Sequence, residues 1–321
     1  VTQTTAPRST AVGGKGDGEA AGTLYGLGAY VLWGILPLYF VALAPTGSWE
    51  VVAWRVVLSL VFCALLLTVT RGWGRFVAVL RRPRTSLLMG VAGVLIYVNW
   101  QVFVIATQSD QVLEASLGYF INPITTVLLA VLVLHERLRI LQWVAIGVAA
   151  VAVVVIVIGY GRVPWYALAL TASFGLYGLV KKQVGATVDA TSGLALETVW
   201  IAPIAVVQLA LVASTTGITL GTAGAWHTIL LLSAGAVTAI PLLLFAAASR
   251  RVPLATMGML QFTGPILQFI VGVAVLHEPM PAARWIGFAI VWVACILLVL
   301  DQVRHAHRVR TAPVVAIDGG A

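Results

Sequence analysis

Arg55 and Glu197 stand inside long apolar runs, and the interval between them recurs along the chain. An ionisable group in such a run is costly to desolvate and normally faces a protein interior or a wet cavity, so each is a functional candidate. A guanidinium can hold a carboxylate through two parallel hydrogen bonds, which makes Arg55 a candidate anchor for an anionic substrate group. The structural alternative is an arginine that snorkels or is paired. A carboxyl in a span can take up and release a proton, which makes Glu197 a candidate coupling group; a structural, hydrogen-bonded carboxyl is the alternative. Glu114 is a second one, although with Ser109 and Asp110 it also suits a helix N-terminus, where negative charge is favoured. The pairs His135-Glu136 and His277-Glu278 are separated by that same interval. They follow helix ends, and the expectation is that they close the bundle, solvated or paired with Arg137, Arg139 or Arg284. No group of Cys, His and acids has metal-ligand spacing, and neither a Ser–His–acid set nor a phosphate-binding G-x-x-x-x-G-K-[ST] loop is present.

Polar and aromatic residues in the runs suggest a binding surface. Pro123 and Pro265 each fall mid-run, where proline removes a backbone donor and frees the carbonyl four residues earlier. Those carbonyls belong to Tyr119 and Gln261. With Asn122 and Gln268 they outline a central surface on two kinked helices; a kink that serves packing alone is the plainer reading. Asn99 and Trp100 in a third run, and Trp33, Tyr39 and Tyr177 in two others, add aromatic walls suited to amphiphilic or aromatic solutes. Gly90 and Gly93, like Gly26, Gly28 and Gly34, read as close-packing positions.

The elements that must carry these groups are membrane helices. The 321 residues are 60% hydrophobic and only 9% charged, against about a quarter charged in soluble domains. Ten runs of the roughly 20 residues a helix needs to cross a bilayer are read at 24–43, 50–69, 86–107, 113–134, 139–158, 164–182, 191–212, 226–248, 254–275 and 283–301. Lipid offers no partner to backbone N–H and C=O groups, so open spans must be helical. The net charge of +8 does not indicate nucleic acid, because the basic residues sit in short loops between spans. Sixteen of the 19 fall on one side if the N-terminus is cytoplasmic, which predicts both termini inside. Residues 1–22 are expected to be a disordered tail without a signal peptide, and 302–321 a basic tail. Cys63 and Cys295 lie in apolar runs and read as packing residues.

The runs repeat. Residues 113–143 and 255–285 share the order of a proline, an apolar stretch, His-Glu and a tryptophan (Trp143, Trp285). Five spans per repeat is an odd number, so the second copy must enter from the other side. Two inverted units, 23–160 and 161–301, are therefore expected. Arg55 and Glu197 then hold equivalent positions reached from opposite faces, which predicts two separate sites rather than one ion pair.

The chain resembles the drug/metabolite transporter superfamily, in its EamA-like branch and there the RarD-type (chloramphenicol-sensitivity) proteins. The likeness is carried by Trp33-Gly34 with Pro37 to Phe40, Arg55, Asn99-Trp100, Leu113 to Pro123, Tyr177 to Lys182, Glu197 to Trp200 with Pro203, Pro241 to Leu243, Gln261 and Gly264-Pro265. It covers about residues 22–302. The resemblance implies a ten-helix permease of the bacterial inner membrane that exports or exchanges small organic metabolites or drugs, with no cofactor and with protons as candidate partners. His135 and His277 depart from the family's commoner Gly-Glu. A membrane enzyme and a non-transporting receptor or scaffold are the alternative functions; monomer and homodimer both stay open.

Overall fold

The computed structural model describes residues 13–135, 138–184 and 188–311, and all regular structure among them is helical. In chain order the helices are α1 (Gly13–Ala42), α2 (Ser48–Val69), α3 (Trp73–Leu80), α4 (Pro83–Gln108), α5 (Val112–Leu134), α6 (Ile140–Tyr160) and α7 (Trp165–Val184). There follow α8 (Ala190–Thr215), α9 (Ala225–Leu232), α10 (Ala234–Ser249), α11 (Leu254–Leu260), α12 (Thr263–Ile270), a π-helical turn (Val271–Val275) and α13 (Ala282–Thr311). Helix ends are set locally. Pro83 occupies the first turn of α4, where its missing N–H is harmless. The Asp189 carboxylate accepts from the Ser192 amide at 3.2 Å to start α8.

Among the described residues nine segments are long and apolar enough to cross a membrane. The expected tenth, α7, has 20 residues but is the less apolar one, ending in Lys181 and Lys182. It packs against α4 and α5, so it has protein neighbours for the polar side chains it carries. The first and last helices overrun the expected spans. Helix α1 begins at Gly13 and α13 ends at Thr311, so parts of both expected tails are helical. Apolar side chains such as Leu65, Val154, Ile158 and Leu211 face outward, as lipid contact requires.

The packing has a two-fold pattern. Helix α1 packs on α10 as α7 packs on α4, and α1 packs on α12 as α7 packs on α5. Helix α2 packs on α10 as α8 packs on α4, while α2–α8, α5–α12 and α6–α13 pair across the two halves. Glycines permit two of these approaches. A Cβ on Gly93 would meet the Glu197 carbonyl oxygen at 2.8 Å, and one on Gly235 would run into the Leu58 carbonyl oxygen more closely still. These two glycines are themselves separated by the recurring interval.

The two prolines act differently. Helix α5 runs unbroken through Pro123, whereas its counterpart is split at Gln261–Phe262, with Pro265 in the first turn of α12. The halves meet there: the Ser116 hydroxyl of α5 donates to the Pro265 carbonyl at 2.8 Å. His135 and His277, which follow α5 and the π-turn, both have left-handed backbones, with φ of 55° and 53°. Glycine adopts that conformation without strain, whereas histidine does so at a cost.

Candidate functional site

The helix termini define two ends of the bundle. One bears the basic segment 70–82, Lys181 and Lys182; the other bears the turns 43–47, 109–111, 161–164, 216–224 and 276–281. Arg55 lies in α2 toward the second end. It is 4% exposed, and its Nε donates to the Thr238 hydroxyl of α10 at 2.8 Å. Its guanidinium carbon stands 4.4 Å from the ring centre of Trp100 and 5.4 Å from that of Phe40. Cation–π contacts of this kind stabilise a desolvated cation by ~2 kcal/mol. No carboxylate forms an ion pair with Arg55 among the described residues, and its buried Nη1 has no hydrogen-bond partner.

Next to it lies a hydrogen-bonded aromatic group. The Tyr119 hydroxyl donates to Asn99 Oδ1 at 3.0 Å, and Asn99 Nδ2 donates to the Leu170 carbonyl and the Ser173 hydroxyl, each at 3.1 Å. Tyr119 stands edge-on to Phe103 and to Phe174, and Phe174 lies tilted against Tyr177. This row of rings runs from the Arg55 neighbourhood toward the second ionisable group.

Glu197 in α8 is 2% exposed. It accepts from Lys181 Nζ at 2.8 Å, and from the Tyr177 hydroxyl at 3.4 and 3.5 Å. Arg55 and Glu197 thus have different partners on different helices and form no ion pair with each other. Lys181 was not singled out in the sequence because it reads as one of a pair of loop-flanking lysines. Thr238 was also missed. The recurring interval places it opposite Ile96, so the repeat sets a polar group against an apolar one, and that mismatch was the available signal.

The other candidates divide. Tyr39 donates from its hydroxyl to the Leu230 carbonyl at 2.8 Å and borders a sideways-opening groove of about 370 Å³ between α1 and α10. Trp33 packs on Tyr30 and Phe245, and its carbonyl accepts from Gln268 Nε2 at 3.2 Å. Gln261 turns back to the Gly258 carbonyl of its own segment at 2.9 Å. Asn122 Oδ1 and Gln268 Oε1 are buried without partners.

Two acids serve other helices than their own. Glu114 accepts from the Tyr166 amide at 2.7 Å and pairs with Arg162 at 3.4 Å, so it caps α7. Glu278 is not solvated. It is 5% exposed, accepts from the Val112 and Leu113 amides at 2.5 and 3.1 Å, and lies 4.0 Å from Arg284. Burial pushes its carboxyl above the ordinary 4.5, against the opposing pull of the amides and Arg284. Glu136 and Arg137 lie outside the described residues. Arg139 pairs with Asp301 of α13 through both carboxylate oxygens, fixing α6 to α13. At the second end Glu50 accepts from the Thr219 and Leu220 amides at 2.8 and 3.3 Å, and Thr46 bonds to both Thr219 and His227 at 2.6 Å. These residues join the two halves, and no spacing or motif in the chain signalled that network.

Comparisons with known proteins identify the family. Residues 20–158 match the model of the EamA-like transporter family. Protein RarD of Streptomyces exfoliatus is 44% identical over 292 residues, 91% of this chain and 92% of that protein. A protein of Vibrio cholerae described as an uncharacterized transporter is 40% identical over 91% of this chain and 96% of its own length. A solved crystal structure 20% identical to the chain, covering 89% of it and 98% of the solved chain, superposes with a TM-score of 0.54, a likeness of fold alone. With relatives this similar along nearly their whole length, the chain belongs to the EamA-like transporter family, in its RarD-type branch.

Proposed function

We propose that the protein is a secondary transporter that moves a small organic metabolite or drug across the bacterial inner membrane by alternating access. In this reading ten helices, α7 included, span the bilayer as two inverted five-helix units, 23–160 and 161–301. Both termini are cytoplasmic, and the basic end of the bundle faces the cytoplasm. The observation that carries the reading is the two-fold pattern of helix pairs, with a buried cation and a buried acid at equivalent positions of the two halves. A carrier needs two conformations of similar energy, and inverted halves supply them, because each can adopt the packing of the other.

Substrate binds beside Arg55, Asn99, Trp100 and Tyr119, with Trp33, Tyr39, Asn122, Gln261 and Gln268 lining the path between the halves. Pro265, at the break between α11 and α12, provides the bend, and Pro123 the matching position in α5. Glu197, held by Lys181 and Tyr177, is the coupling group: protonation would release Lys181 and loosen α7 from α8. Glu114 links the start of α7 to α5 and transmits that movement. The reading needs no cofactor, and export or proton-coupled exchange is the direction that fits it.

The test is counterflow in proteoliposomes with radiolabelled aromatic and amphiphilic metabolites. Trans-stimulated accumulation of a solute supports the reading. Saturable binding with no flux in either direction overturns it in favour of a receptor.

A further inference from the structure

Arg55 is a desolvated cation for which the described residues supply no counter-charge. Leaving one charge of a buried pair without its partner costs several kcal/mol, and two ring faces and one hydroxyl offset only part of that. The free donor is also specific in its position. The guanidinium is planar; its Nε edge is used by Thr238 at 2.8 Å, and rings of Trp100 and Phe40 lie against it. What remains is the Nη edge, where Nη1 is buried and unpartnered. One turn further along the same face of α2, the hydroxyl of Ser59 is fully buried and has no partner either. Two unpartnered buried groups one helical turn apart, with aromatic rings against the first, mark the place of a missing acceptor.

We infer that the substrate is an organic monoanion, a carboxylate on a flat apolar body, whose carboxylate lies in the plane of the Arg55 guanidinium against Nη1 while its body stacks along Trp100 and Phe40. A single guanidinium without a second cation nearby balances one negative charge. A planar carboxylate accepts in-plane hydrogen bonds from that edge. Cationic solutes are excluded by repulsion, and neutral ones leave the charge uncompensated. This inference rests on the transporter reading for its biological meaning, but its binding test does not.

The full-length protein in lipid nanodiscs is titrated with benzoate, benzamide, benzylamine and sodium chloride, reading intrinsic tryptophan fluorescence and melting temperature. Benzoate is expected to bind at least tenfold tighter than benzamide, with no response to benzylamine. Arg55→Gln is expected to abolish the preference and Arg55→Lys to retain a weakened one. Equal responses to benzoate and benzamide, an equal shift from chloride alone, or an unchanged benzoate preference in Arg55→Gln would overturn it. The comparison among ligands on the unaltered protein holds even if a variant fails to fold. Benzoate binding without any solute flux would defeat the transporter reading and leave the anion site standing. Counterflow of a neutral solute unaffected by Arg55→Gln would do the reverse.

Discussion

Substituting Gly235 by alanine tests how closely the Arg55 site depends on helix packing. A Cβ at this position would lie under 3.0 Å from the Leu58 carbonyl oxygen, against 3.4 Å for the onset of ordinary contact, so α10 must retreat from α2 by at least the difference. The obstacle is backbone, which has no rotamer with which to give way. Thr238 lies one turn from Gly235, and Arg55 one turn from Leu58, so the same retreat acts on the Arg55–Thr238 bond. At 2.8 Å now, that bond would be carried past about 3.2 Å, the outer edge of the N–H···O range. Overpacking costs ~1–3 kcal/mol, and a lost hydrogen bond to a charged group ~1.5–3 kcal/mol. Gly178 is the control, because a Cβ there meets nothing within 4 Å; Gly178→Ala should be neutral or stabilising by ~0.5–1 kcal/mol. Thermal unfolding followed by fluorescence in nanodiscs, with flux measured in liposomes, reads both effects. Gly235→Ala should melt several degrees lower and lose most flux, while Gly178→Ala keeps both. If the two variants behave alike, the backbone contact does not position the site.

Three further outcomes are expected. Glu197→Gln should flatten the pH dependence of flux while leaving insertion intact, and Lys181→Met should shift the same profile; a profile unmoved by Glu197→Gln would remove that residue from coupling. His277→Gly relieves a left-handed backbone, φ 53°, and should stabilise by about 1 kcal/mol, read as a rise in melting temperature; a fall would show that the imidazole itself is needed. Burial holds the Glu278 carboxyl above 4.5, so the folded state binds more protons than the unfolded state in the window just above that value. Stability should therefore fall as pH rises through the window, and Glu278→Gln should remove that slope; equal slopes in melting temperature against pH would refute the assignment.

Much of the fold was legible because duplication leaves a constant interval. Arg55 with Glu197, Gly93 with Gly235 and His135 with His277 all obey it; Arg55 and Glu197 are each the eighth residue of their helix, and the two histidines each follow a helix end. Long apolar runs located the candidate spans, but the run weakened at α7, whose Thr171, Ser173 and Lys181 find partners in neighbouring helices rather than in lipid. Acids were the hardest to read. Glu50, Glu114 and Glu278 each accept from backbone amides of a distant segment, and such contacts arise from tertiary packing, which local sequence does not encode. The break at Gln261–Phe262 was likewise hidden, since Pro123 and Pro265 look equivalent in sequence yet only one lies beside an interrupted helix.

The central claim is that the two halves thread the membrane in opposite senses. It is tested most directly by single-cysteine labelling of the paired corners in intact cells, in a background where the buried Cys63 and Cys295 are replaced by alanine. With His135→Cys, a membrane-impermeant maleimide should react only after the cells are opened; with His277→Cys, it should react in intact cells. Reaction of both corners from the same side would contradict the account.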